Sequence, residues 1–116
     1  MKRALVCFPI LLILSHLAWA DTVAEIRHLL GFIGGSGCTF VRNAESHDSA
    51  AAREHIEKKY AYVKRWIDTA EQFIEYTATK SSVSGEVYRV ICNGRDEPSA
   101  DWLTRELKSF RDSGGG

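Results

Sequence analysis

The sequence predicts an α+β domain in which three helices, the middle one long, pack on a two-stranded antiparallel sheet. Three observations lead there. Apolar residues recur every three or four positions in three stretches, and two short runs rich in β-branched and aromatic residues lie between them. Cys38 and Cys92 fall at the outer ends of those two runs. Of 116 residues 45% are hydrophobic, which suffices for one small core and hence one domain. Its expected bounds are residues 21–112, behind a leader at 1–20 and ahead of a loose glycine-rich tail at 113–116.

The leader has the three parts of an export signal. Met1, Lys2 and Arg3 form a positive start, residues 4–14 an apolar run, and residues 15–20 end in a small-x-small site that predicts cleavage between Ala20 and Asp21. The uncharged run is shorter than the ~20 residues that span a bilayer, so no stable membrane insertion is expected after cleavage. Cys7 follows the bulky Val6 near the start of the apolar run, a poor lipoprotein site. Removing Lys2 and Arg3 leaves the domain slightly acidic, since every Asp and Glu lies beyond them. A nucleic-acid partner, which would need a basic footprint, is not expected.

Each element has a local cause. Thr22 and Glu25 have the spacing of a capping box, and Val23, Ile26, Leu29, Leu30 and Ile33 follow at helical period up to Gly34 and Gly35, which end the helix. The glycine-rich stretch 31–37 lacks the Lys-Ser/Thr of a phosphate loop. Residues 38–42 read as a short strand closed by Asn43. Asp48 or Ser49 caps the next helix, whose apolar positions Ala52, Ile56, Val63, Trp66, Ile67, Ala70, Phe73, Ile74 and Thr77 suggest about seven to eight unbroken turns. A polar turn at 81–85 leads into a second strand over 86–92, closed by Asn93 and Gly94. Beyond Pro98, Ser99 caps a last helix carrying Trp102, Leu103, Leu107 and Phe110 on one side.

If the two strands pair antiparallel, Cys38 meets Cys92, Phe40 meets Val90 and Arg42 meets Tyr88. Two cysteines in an exported chain are expected to form a disulfide. A redox or zinc site would need a CxxC pair or closer His spacing, and neither is present. No cofactor or metal is therefore expected.

His55 and Lys59 share a helix face within the apolar arc. Either they line a polar pocket with Arg42 and His47, or they reach water and tie down a neighbouring loop. Ser81, Ser82 and Ser84, with His47, His55, Asp68 and Glu71, allow a Ser-His-acid assembly to be drawn. No G-x-S-x-G elbow supports it, and such a serine cluster ordinarily makes a cap and turn. The expectation is a protein without catalytic residues that binds a periplasmic protein or a small ligand. Its expected site is Arg42, His47, His55, Lys59, Ser82, Ser84 and Tyr88.

Two resemblances add to this. Phe40-Val41-Arg42-Asn43, His47, Ala52, His55, Lys59, the run Ile67-Asp68-Thr69-Ala70-Glu71-Gln72-Phe73-Ile74 and Ser82-x-Ser84-Gly85-x-x-Tyr88 together resemble the YfeK-like proteins, over roughly residues 25–107. These are small exported proteins of Gram-negative bacteria with no established activity, which implies a periplasmic address and no known catalytic residue. Ala44 departs from the glycine expected after Arg-Asn. Ser84-Gly85-Glu86-Val87-Tyr88 also looks like the S-G-x-x-Y loop of periplasmic lysozyme inhibitors. That likeness implies Ser84 and Tyr88 as contacts to the paired carboxylates of a glycosidase.

Overall fold

A computed structural model describes the backbone of residues 7–115 and the side chains of Trp19 and residues 21–115. The positive start of the leader, at residues 1–3, and the last residue of the tail, Gly116, lie outside the described residues. The elements run α1 (Cys7–Gly35), β1 (Thr39–Arg42), β2 (Glu45–His47), α2 (Ser49–Val63), a 3-10 turn (Lys64–Trp66), α3 (Ala70–Thr77), β3 (Arg89–Cys92), β4 (Arg95–Pro98) and α4 (Ser99–Asp112). The class is α+β, with four α-helices and four antiparallel strands, in the order β2-β1-β3-β4, among the described residues. Among the described residues no helix is long and apolar enough to cross a membrane.

The central pair has the expected register, although β3 begins at Arg89 and not at Glu86, so Tyr88 precedes the strand. Phe40 lies opposite Val90, and the same register carried outward sets Cys38 against Cys92, which are joined in a disulfide with Cα atoms 4.9 Å apart. The two additional strands grow from two-residue turns. Asn43 and Ala44 (φ 53° and 65°) reverse the chain into β2, and Asn93 and Gly94 (φ 54° and 77°) reverse it into β4. Positive φ at both central residues gives the turn handedness that matches strand twist, so each turn propagates pairing instead of closing the sheet.

The middle helix is two helices. α2 stops at Val63, Ile67 is extended, and Thr69 restarts the chain with a capping box. Its hydroxyl accepts from Gln72 N at 3.1 Å, while Gln72 Oε1 accepts from Thr69 N at 3.3 Å. Trp66, expected in the core, therefore sits on the 3-10 turn and is 57% exposed. The expected box at Thr22 and Glu25 does not form, because α1 continues upstream of it. Thr22 instead donates to Asp68 O at 3.1 Å, and Glu25 pairs with Arg111 at 2.7 Å. Asp48 caps α2 by accepting from Ala51 N at 2.8 Å. Pro98, not Ser99, precedes α4, and Ser99 N donates to Tyr88 O at 2.8 Å.

The helices cover one face of the sheet. Leu29 and Ile33 of α1, Phe73 of α3, Leu103 and Leu107 of α4 and Val90 of β3 are the largest of the fully buried apolar side chains. A lone hairpin is marginal in water, and this apolar cover is what stabilises the small sheet.

Candidate functional site

The site forms where α2 crosses the sheet end remote from the disulfide. Paired residues of neighbouring strands share a face, so the β1–β2 register of Phe40 with His47 turns the His47 ring to the helix side beside Phe40. Arg42, two residues beyond Phe40, has the same facing, and the β1–β3 register carried one step further brings Tyr88 opposite it. From the other side α2 presents His55 and Lys59, one turn apart.

These two side chains converge on Tyr88. Its hydroxyl lies 3.1 Å from His55 Nε2 and receives a hydrogen bond from Lys59 Nζ at 3.1 Å. Lys59 also donates to Lys80 O at 3.0 Å, and its ammonium stands 4.9 Å from the centre of the Tyr88 ring. The His55 and Tyr88 rings meet edge to face at 5.9 Å. Both α2 residues thus fasten the segment that precedes β3. An ammonium half-buried here has its proton donors used by a carbonyl and a phenol, which offsets its loss of water.

Beside this cluster is a cavity of about 30 Å3, room for one or two water molecules. Its wall is almost wholly carbon, with Ile33, Phe40, Ile56 and Leu103 among the lining side chains, and Arg42, His47, His55 and Tyr88 complete it. Two of these are left unsatisfied. His47 Nε2 is buried without a hydrogen-bond partner. The half-buried Arg42 side chain has neither hydrogen bond nor ion pair among the described residues; Arg42 and Glu45 are paired through their backbones in the β1–β2 ladder, but the exposed Glu45 carboxylate makes no ion pair with the guanidinium. Arg89 also lines the cavity but is held by Asp96 at 2.7 Å. Among the described residues no carboxylate lines the cavity.

Burial pushes the His55 imidazole down to about 4, and the charges of Arg42, Lys59, His47 and Lys58 act in the same direction. The ring is therefore neutral at neutral pH, which leaves Arg42 as the unpaired cation of the cavity wall.

The serines are placed differently. Ser81 Oγ accepts from Asn43 Nδ2 at 3.3 Å and from Val83 N and Ser84 N at 3.2 Å each. Ser84 Oγ donates to Asn43 Oδ1, and Ser82 is exposed and makes no such bond. The loop is a turn fastened to the β1–β2 hairpin, and none of its serines hydrogen-bonds His47 or His55 among the described residues. Arg42, His47, His55, Lys59 and Tyr88 come together; Ser82 and Ser84 stand apart from them. Asn43, which ties hairpin to loop, was legible in the sequence only as a turn former. Tyr88 is 6% exposed with its hydroxyl turned inward, opposite to what contact with a lysozyme cleft requires. Among the described residues no three His, Cys, Asp or Glu side chains gather as metal ligands.

Fold and site together define a small disulfide-closed α+β domain with an apolar slot rimmed by basic and aromatic side chains. Residues 20–111 match the family of unknown function DUF5329, and the chain belongs to that family. It is 35% identical over 91 residues to "Uncharacterized protein YfeK" of Salmonella typhimurium strain LT2, covering 74% of this chain and 76% of that protein. The YfeK-like resemblance read from the motifs is thereby borne out. No solved structure matches.

Proposed function

We propose that the chain is an exported, periplasmic, non-catalytic binding module whose ligand is a small anion with a short apolar group, such as an aliphatic carboxylate. The observation that carries this reading is Arg42, a half-buried guanidinium without a counter-ion at the wall of a carbon-lined cavity that no acid lines. An arginine left so forgoes the charge-assisted pairs its fork would make, and a carboxylate supplies them in bidentate form. The buried, unpartnered His47 Nε2 offers a further polar contact, and the apolar wall receives the ligand's carbon end. His55, Lys59 and Tyr88 act by holding the wall in shape.

Thermal unfolding of the oxidised protein with formate, acetate and propionate, the acids small enough for a cavity of this size, tests the reading. A ligand at a hundredfold excess over its Kd stabilises by about 2.7 kcal/mol, several degrees in Tm for a domain of this size. The expected result is a shift for at least one acid in the parent and none in Arg42→Ala, whose own Tm stays near the parent's because Arg42 holds nothing else. No shift with any acid, or equal shifts in both proteins, would remove the assignment. Mass spectrometry of the exported chain tests the leader, a start at Asp21 being expected.

A further inference from the structure

The cavity wall holds a polar residue besides Arg42 and His47 that has no partner for its side chain. Ser99, the first residue of α4, is 5% exposed and lines the cavity. Its backbone N–H is taken by Tyr88 O, but its hydroxyl makes no hydrogen bond among the described residues. The other buried polar side chains are all partnered. Thr22 donates to Asp68 O and Thr77 to Phe73 O, Ser81 accepts from Asn43 and two backbone N–H groups, and Glu97 receives Arg105 on both oxygens. A buried hydroxyl without a partner costs free energy, which a polar group entering the cavity would recover. The sheet sets where this hydroxyl stands. Tyr88 comes opposite Arg42 in the β1–β3 register carried one step further, and the bond from Ser99 N to Tyr88 O, just past the end of β4, places Ser99 on the other side of Tyr88.

We propose that the ligand of this cavity is a 2-hydroxycarboxylate of the size of glycolate, with its carboxylate on Arg42 and its hydroxyl on Ser99. The assignment rests on Arg42 as the carboxylate site and specifies what the other end of the ligand carries. A ligand hydroxyl both donates and accepts, so it meets Ser99 Oγ whichever way the serine proton points. Between the two polar ends only a short carbon link is needed, and a cavity of about 30 Å3 admits no longer chain. An ammonium in place of the hydroxyl is disfavoured, because Arg42 and Arg89 line the cavity and among the described residues no carboxylate does. A methyl in its place leaves the Ser99 hydroxyl unpaired, which is how a polar site rejects an isostere that lacks the matching group.

Glycolate, propionate and glycine test this, since they have the same number of heavy atoms and differ in one group: hydroxyl, methyl or ammonium. In nuclear magnetic resonance titrations of the oxidised protein, the Kd of glycolate is expected to be roughly tenfold below that of propionate, and glycine is expected not to bind. In Ser99→Ala the preference for glycolate should vanish while propionate binds as in the parent, which also reports that the variant's cavity is intact. Arg42→Ala should bind neither acid. Propionate held through Arg42, with no preference for glycolate in the parent, overturns the hydroxy-acid assignment and leaves the carboxylate site standing. Binding of neither acid by the parent, or of both by Arg42→Ala, overturns the two together. A preference for glycolate that survives in Ser99→Ala, or glycine bound as tightly as glycolate, overturns the role given to the Ser99 hydroxyl.

Discussion

Ala44 holds a φ of 65° beside Asn43 at 53°, so the turn between β1 and β2 asks an alanine for the left-handed conformation. The turn between β3 and β4 asks the same of Gly94, at 77°, and a glycine meets that demand without a Cβ clash. Ala44→Gly is therefore expected to raise stability by about 1 kcal/mol, and Gly94→Ala to lower it by a similar amount. Urea midpoints read both, and unchanged midpoints would show that neither turn is strained. His55 supplies a residue-scale prediction in pH. Its imidazole is pushed down to about 4 in the folded protein from an ordinary 6.5, chiefly by burial. Between those values the unfolded chain binds a proton that the folded one does not, so stability falls with falling pH across that window. The full contribution of the neutral ring is present above pH 6.5 and is lost as pH falls toward 4. Solvent at the ring's edge keeps the loss on the order of 2 kcal/mol. His55→Gln, which can still reach the Tyr88 hydroxyl, should flatten this part of the pH profile relative to the parent. Parallel profiles would show that another group sets the slope.

At the scale of the element, the break between α2 and α3 depends on the Thr69 capping box. Thr69→Ala removes the acceptor for Gln72 N, and a lost cap of this kind costs about 1 kcal/mol. Thr69→Ser, which keeps the hydroxyl, should recover most of it in urea unfolding; a loss shared by both variants would point to the methyl group and not the cap. The same break explains a limit of the sequence. Val63, Trp66, Ile67 and Ala70 keep a spacing of three or four across it, so hydrophobic periodicity runs on where the backbone does not. The marker was the Thr69-x-x-Gln72 spacing, of the same kind as the Thr22-x-x-Glu25 spacing that does not form a box. What separates them is the upstream chain, extended at Ile67 and helical before Thr22. The outer strands were illegible for a different reason. Glu45-Ser46-His47 and Arg95-Asp96-Glu97-Pro98 hold no β-branched residue, because edge strands are kept charged or proline-bearing against further pairing. Only Asn43-Ala44 and Asn93-Gly94 announced them. The central pair was legible in register as well as in place, since two cysteines fix the alignment. With it came Arg42, His47, His55, Lys59 and Tyr88. The unpaired state of Arg42 was not legible, for it depends on which acids the fold leaves out of the cavity.

For the whole molecule, the disulfide and the candidate site lie at opposite ends of one strand pair. Cys38 and Cys92 close a loop with a sequence separation of 54 at one end, and Arg42 and Tyr88 stand four residues along each chain segment at the other. Loop closure on that length contributes up to about 4 kcal/mol by restricting the unfolded chain, a large part of the roughly 5–15 kcal/mol that holds a typical domain. A second tie closes the helical layer. Arg111 of α4 donates to Glu25 of α1 and to Glu71 of α3, at 2.7 Å in each case, and holds the Glu71 carboxyl below its ordinary range. This clasp is exposed, so solvent screening limits its contribution, and the covalent tie is expected to dominate. The Cys38→Ser, Cys92→Ser protein should therefore unfold at markedly lower urea concentration, while Arg111→Ala should move the midpoint by a small fraction of that. Because loop entropy acts through the unfolded state, removing the disulfide leaves the folded cavity as it is. The stabilisation by a bound carboxylate, measured as the change in unfolding free energy, should then be the same with and without the disulfide, additive as for separate sites. A ligand effect that vanishes with the disulfide would mean that the staple shapes the Arg42 end of the sheet directly, and that site and staple are one mechanical unit.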